Sequence, residues 1–202
     1  FTTVALNRLP TGTVSISGTP TQGQTLAVNT TALVDVDGLG ALSYQWSRSG
    51  ASIPGATGSA YTLSQGDVGK TVLVQVSYTD GLGNQERMAS NATSTIANLN
   101  DAPTGAVTIS AFASQGGTLT ANTATVGDLD GLGPLQYQWL RDGVAILGAA
   151  SASYRLAQED VGKSIAVRIG YTDGGGANES LSSNATSGIQ NVNDAPSGVV
   201  LI

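Results

Sequence analysis

The chain has 202 residues, 40 % of them hydrophobic, with 27 glycines and a formal net charge of −6, enough for one large domain or two small ones with packed cores. It has no cysteine and no histidine, which excludes disulfides, thiolate or imidazole zinc sites, thiol nucleophiles and imidazole bases together. The 8 basic residues are scattered rather than banded, which argues against nucleic acid and anionic membrane surfaces as partners, and no apolar run reaches the roughly 18 residues of a membrane span.

Val, Thr, Ser, Ile and Tyr outweigh the strong helix formers, a balance that favours strands. Residues 1–8 form a lead-in. Thr13 to Ser17 and Thr25 to Val28 read as the first two strands, and DVDGLG at 35–40 as a turn-rich loop. Leu42, Tyr44 and Trp46 then share one face of a third strand, because side chains alternate with period two. SGAS and PGATG punctuate the middle, and Ala60 to Leu63 is a further strand. After the connection QGDVGK, Thr71 to Tyr78 is a strong strand with Val72, Val74, Val76 and Tyr78 facing one way. DGLGN follows, and Met88 to Ile96 closes the unit.

The whole pattern then returns 93 residues later: Tyr44, Trp46, Tyr61 and Tyr78 recur as Tyr137, Trp139, Tyr154 and Tyr171, and Pro10 as Pro103 and Pro196. A fixed period identifies a tandem array, divided as repeat one (9–98), a linker (99–103), repeat two (104–191), and a further linker with the first strand of a third repeat (192–202). Beginning and ending in mid-pattern, the chain reads as a stretch of a longer protein. About seven short strands per repeat, with a Trp on the third and no helix signal, predict an all-β fold: two tandem immunoglobulin-like, cadherin-like Greek-key β-sandwiches arranged as an elongated rod. Both Trp are expected in the cores rather than on a ligand-stacking platform.

Of fourteen acidic residues, twelve form pairs at the same offset: Asp35/Asp128, Asp37/Asp130, Asp67/Asp160, Asp80/Asp173, Glu86/Glu179 and Asp101/Asp194. In a Greek-key sandwich, the loops carrying Asp128, Asp130 and Asp173 crown the end where the chain enters the second repeat. The connection carrying Asp67 lies at the opposite end of the first, and Asn98, Asn100 and Asp101 thread between. Like charges at contact distance repel by about 1 kcal/mol in water and several times more where screening is poor. With no Lys or Arg read as their partner, these oxygen donors on Gly-rich loops predict an interdomain Ca²⁺ rather than a transition metal or Mg²⁺. The expected ligands are Asp67, Asn98, Asn100, Asp101, Asp128, Asp130 and Asp173. Partial sites are expected at Asp35, Asp37 and Asp80, where Arg8 replaces a ligand, and at Asp160, Asn191, Asn193 and Asp194. Glu86 and Glu179 either reach a site or end a strand in solvent.

NLNDAP and NVNDAP, taken with DVDGLG, DLDGLG, YQW, DVGK and YTDG, resemble the tandem extender repeats of large bacterial RTX adhesins, and are similar to cadherin junctions, where linker and loop acids share Ca²⁺. The resemblance implies extracellular, calcium-stiffened spacer repeats on a bacterial surface. They would be monomeric, would contact neighbouring repeats of the same chain, and would hold a distal adhesive region away from the cell. Asn98 stands where cadherins usually carry Asp, the RTX nonapeptide is missing, and DVDGLG lacks the remaining acids of an EF-hand loop. Two other functions compete with this one. Loops of such a sandwich could grip a glycan or protein, for which 5 % aromatic residues offer little. A hydrolase using paired carboxylates is disfavoured, because no nucleophile–base pair is available without His or Cys.

Overall fold

The structure, a computed structural model, describes residues 6–110 and 113–193; the expected strand of a third repeat and Asp194 lie outside them. The chain divides between Leu99 and Asn100 into two units. In the first, the strands are β1 (Ser15–Ser17), β2 (Thr25–Asn29), β3 (Ser43–Arg48), β4 (Ala51–Ser52), β5 (Ala60–Thr62), β6 (Val72–Thr79) and β7 (Gln85–Ala89). The second repeats them as β8 (Thr108–Ile109), β9 (Thr118–Asn122), β10 (Gln136–Arg141), β11 (Val144–Ala145), β12 (Ser153–Arg155), β13 (Ile165–Thr172) and β14 (Asn178–Ser182). A three-stranded sheet, β1-β2-β5, and a four-stranded sheet, β4-β3-β6-β7, make the first unit; β8-β9-β12 and β11-β10-β13-β14 make the second. All strand pairs are antiparallel. Each unit is thus an immunoglobulin-like sandwich, as the strand pattern predicts.

The period-two alternation decides which faces meet. Along β6, Val72, Val74, Val76 and Tyr78 are buried and the residues between them less so. Trp46 pairs with Val74 and Tyr44 with Val76, so β3 presents its aromatic face to the same core. From the other sheet Leu26 and, partly buried, Tyr61 pack against it, with the Trp46 and Tyr61 rings 5.7 Å apart. Trp46 is fully buried and its indole N–H donates to Gly58 O at 2.9 Å; Trp139 repeats this with Ser151 O. Burying so large a ring contributes about 4 to 6 kcal/mol. Neither Trp is a surface platform, as expected.

Two local details position the rest. β3 and β4 are joined by Ser49 and Gly50, both at positive φ (44° and 86°), the two-residue turn whose twist matches antiparallel strands; Asp142 and Gly143 repeat it. The closing strand begins earlier than predicted, at Gln85, and its ladder changes character after Ala89. There the N–H groups of Val74 and Val72 donate to the hydroxyls of Ser90 and Thr93 (both 3.1 Å). Side-chain oxygens standing in for backbone carbonyls break the regular pairing, and the chain reaches Ile96 through single bridges instead.

Candidate metal centre

In the second unit β13 ends at Thr172, and the β13–β14 turn carries Asp173. The loop between β9 and β10 returns beside it with Asp128 and Asp130. Missing Cβ atoms allow the contact. Gly174 N–H donates to Asp130 O at 3.1 Å, where a Cβ on Gly174 would stand 2.4 Å from that oxygen; one on Gly133 would stand 2.0 Å from Thr172 O. The two acidic loops therefore lie backbone against backbone.

The carboxylates are then oriented one by one. Asp128 Oδ1 accepts from the N–H of Asp130 (2.9 Å) and Oδ2 from the hydroxyl of Tyr171 (2.6 Å). Burial first, and then that bond to Asp128, raise the Tyr171 pKa, so the phenol keeps its proton as a donor. Asp130 Oδ2 accepts from the N–H of Asp101 (2.7 Å), and Asn100 Nδ2 donates to Glu179 Oε1 (2.8 Å). Asp173 Oδ1 accepts from the N–H of Ala177 (2.8 Å).

One carboxylate oxygen each from Asp128, Asp130 and Asp173 lie within 4.8 Å of one another, and among the described residues no other trio of acidic side chains does so. Oxygens bound to one Ca²⁺ at about 2.4 Å can be at most about 4.8 Å apart, so the spacing fits that ion. Asp173 is 7 % exposed, and its Oδ2 is buried with no hydrogen-bond partner. A buried carboxylate oxygen without a partner is costly, and a cation is the species that satisfies it without supplying a further proton donor.

The corresponding end of the first unit shares most of this framework. Asp35 Oδ1 accepts from Asp37 N–H (2.9 Å) and Oδ2 from the Tyr78 hydroxyl (2.7 Å), while Arg8 N–H donates to Asp37 Oδ2 (2.7 Å) and Asn7 Nδ2 to Glu86 Oε1 (2.8 Å). Asp80 is held differently. Its Oδ1 accepts from the N–H of Leu82 (2.9 Å) and Asn84 (2.7 Å), and its Oδ2 accepts from Asn84 Nδ2 (3.0 Å). Burial pushes the Asp80 pKa up, but the Asn84 side chain and these backbone donors outweigh it and hold the carboxyl below its usual range.

Asp67 and Asp160, expected as a ligand and as part of a partial site, serve their own folds instead. Asp67 is fully buried on the short 3-10 turn Gln65–Asp67 before β6. Its Oδ1 accepts from Arg48 Nε at 2.5 Å, and its Oδ2 from Tyr61 hydroxyl (2.9 Å), Ser64 N–H (2.7 Å) and Ser64 Oγ (2.9 Å). Asp160 repeats this with Arg141 Nε (2.7 Å), Tyr154 and Ala157 N–H. With a guanidinium and a crowd of donors on each, neither carboxylate has reason to seek a cation. Asn98 belongs to the first unit, where its Oδ1 is buried without a hydrogen-bond partner. Asn191 and Asn193 are exposed. Glu86 is 4 % exposed and Glu179 partly buried, so the picture of a strand ending in solvent does not hold; both fix the asparagine of the entering segment. Tyr78, Tyr171 and Asn84 are the contributors that patterning missed. Tyr78 and Tyr171 read as core residues, and only their position at the strand end signals a hydroxyl within reach of the loop.

No protein family and no curated protein matches the sequence. Among solved structures the chain is similar to the three N-terminal domains of the Highly Immunogenic Outer Capsid protein of bacteriophage RB49, at 16 % identity and a TM-score of 0.32, covering 86 % of this chain and 59 % of that one. It is also similar to the fibronectin(III)-like modules of Clostridium thermocellum CbhA, at 14 % identity and a TM-score of 0.30, covering 92 % of this chain and 100 % of that one. A third similarity is to the tandem Ig repeats of Dlar, at 12 % identity and a TM-score of 0.25, covering 92 % of this chain and 96 % of that one.

Proposed function

We propose that the chain is a pair of non-catalytic spacer repeats from a bacterial surface adhesin, of the RTX extender type, and that the second repeat holds one Ca²⁺ where the linker enters it. Asp128, Asp130 and Asp173 would hold the ion, with Asn100 and Asp101 supplying further oxygens from the linker. The ion would supply positive charge and many-fold oxygen coordination, and nothing chemical beyond that. The observation that carries the reading is the orphaned, buried Asp173 Oδ2 inside a converging carboxylate trio. It is supported by the way Asp101 N–H already binds the linker to the Asp130 loop and Asn100 Nδ2 binds it to Glu179 at the start of β14.

Calcium bound there fastens the linker to its repeat, which suits a spacer that must transmit position. The paired carboxylates have a structural task that needs no catalysis, since Asp128 organises the turn that presents Asp130. Ligand gripping by loops gains nothing from the two Trp, which are sealed in the cores. Among the described residues no helix is long and apolar enough to cross a membrane.

Calorimetric titration of Ca²⁺ into the wild type and Asp128→Ala tests the site. One ion per chain for the wild type, and loss of that binding in the variant, is expected. Equal binding by both proteins, or none by either, refutes the assignment.

A further inference from the structure

The two repeats share loop geometry but not the residue that faces their third aspartate. Asp80 N–H donates to Asn84 O, and Asp173 N–H to Ala177 O, both at 2.9 Å. Asn84 N–H and Ala177 N–H return to the Oδ1 of the same aspartates at 2.7 and 2.8 Å. The turns share these backbone bonds and differ at two positions, Leu82 against Gly175 and Asn84 against Ala177. Leu82 meets Asp80 only through its backbone N–H, so position 84/177 is the one whose side chain can reach the aspartate's Oδ2.

In the first repeat the Asn84 amide nitrogen uses both of its hydrogens. One goes to Asp80 Oδ2 and the other to Asn7 Oδ1, each at 3.0 Å. In the second repeat Ala177 has no such group. Asp173 Oδ2, the counterpart of Asp80 Oδ2, is left buried and unpartnered. Asn100 is oriented by Glu179 as Asn7 is by Glu86, so its Oδ1 is the counterpart of the oxygen that Asn84 binds.

The geometry points to Asn84 as a built-in substitute for a cation: an amide with two N–H donors bridges the two oxygens that, in the second repeat, are left for Ca²⁺. Position 84/177 is then, beside the exchange of Asp101 for Arg8, a determinant of whether a repeat takes up the ion. Asn makes the joint self-sufficient and calcium-independent, while Ala makes it calcium-dependent. This rests on the calcium reading of the second repeat, and it adds a specific claim about the first.

An amide N–H is a weaker electrostatic partner than a divalent ion, but it is covalently present and costs no binding entropy. Asp80 meets three donors from Leu82 and Asn84, and a competing ion would have to displace the one on Oδ2. A hydrogen bond to a charged group is worth enough to weaken ion binding about tenfold or more.

The test is Ca²⁺ titration calorimetry on the whole chain as wild type, Ala177→Asn and Asn84→Ala, with thermal melts of each in chelator. The expected results are one ion for the wild type, binding at least about tenfold weaker in Ala177→Asn, and a second, weaker ion in Asn84→Ala. In chelator, Ala177→Asn should melt higher than the wild type, because the new amide satisfies Asp173 without an ion. If the wild type binds one ion and Ala177→Asn binds it just as tightly, the substitution claim is overturned while the calcium site stands. Two ions in the wild type also overturn it. If the wild type binds none, the calcium reading fails and takes this inference with it. Should Asn84→Ala not fold, the Ala177→Asn arm alone decides.

Discussion

Asp67 shows how one carboxylate can be misassigned when only its neighbours in sequence are visible. Burial alone pushes its pKa up, but Arg48, Ser64 and Tyr61 outweigh that penalty and hold it below the ordinary carboxylate range. Removing one member of a buried ion pair typically costs 3 to 5 kcal/mol, because the other charge is stranded. Arg48 keeps 26 % of its side chain in water, so Asp67→Asn should cost about 3 kcal/mol, the low end of that range. Denaturant unfolding of the first repeat would measure it, and a loss under about 0.5 kcal/mol, the scatter of an ordinary surface change, would show the pair to be idle. The same group sets an acid limit. Its folded pKa lies below the unfolded value near 3.9, so its contribution is complete above that value and is lost as pH falls through the folded one. The stability gap between wild type and Asp67→Asn should therefore shrink between about pH 5 and pH 2. A gap unchanged down to pH 2 would contradict this. The sequence did contain a clue, since Arg48 and Asp67 recur together as Arg141 and Asp160. What it did not contain is distance: Arg48 ends β3 and Asp67 precedes β6, and only the pairing of those strands in opposite directions brings the two together.

At the scale of elements, the candidate centre depends on two loops that touch through glycines. Gly133 sits against Thr172 O and Gly174 against Asp130 O, each closer than any Cβ could stand. Gly133→Ala should push the β9–β10 loop away from the end of β13. Forced overpacking of this kind costs about 1 to 3 kcal/mol, and the displacement would separate Asp128 and Asp130 from Asp173. Reduced Ca²⁺ affinity together with a lower melting temperature in chelator is expected. Unchanged affinity would mean that the loops can separate without disturbing the ligands. The strands themselves were readable because period-two alternation is a local signal, and the 93-residue offset allowed each reading to be made twice. The trio Asp128, Asp130 and Asp173 was readable too, because a sandwich places the β9–β10 and β13–β14 loops at one end. Strand ends were less so: Ser90 and Thr93 look like strand residues, yet their hydroxyls bond the partner strand and interrupt the ladder. Asn84 was invisible for a different reason. Asn after a Gly is common in turns, and nothing in its identity says that both amide hydrogens are committed.

For the whole molecule, with a net charge of −6 and paired acidic loops, the proposed calcium site would make the ion balance of the medium part of how the chain works. Extracellular calcium modules bind at roughly 10⁻⁴ to 10⁻³ M, and at about ten times Kd binding adds about 1.4 kcal/mol to the folded, liganded state. Against the stability of a sandwich that is a small addition. Against the freedom of a linker of a few residues it is comparable to the cost of fixing one residue's backbone, about 1 to 2 kcal/mol. Calcium should therefore change the linker far more than the folds it joins. In chelator, small-angle scattering should require a broader distribution of inter-repeat arrangements than in millimolar Ca²⁺, while circular dichroism of the strands stays the same. Asp128→Ala should scatter in calcium as the wild type does in chelator. Identical profiles for the wild type in both conditions would mean that the ion, even if bound, does not govern the joint. The proposed spacer function would then have to rest on the proteinaceous contacts of the linker alone, among them Asp101 N–H to Asp130 and Asn100 to Glu179.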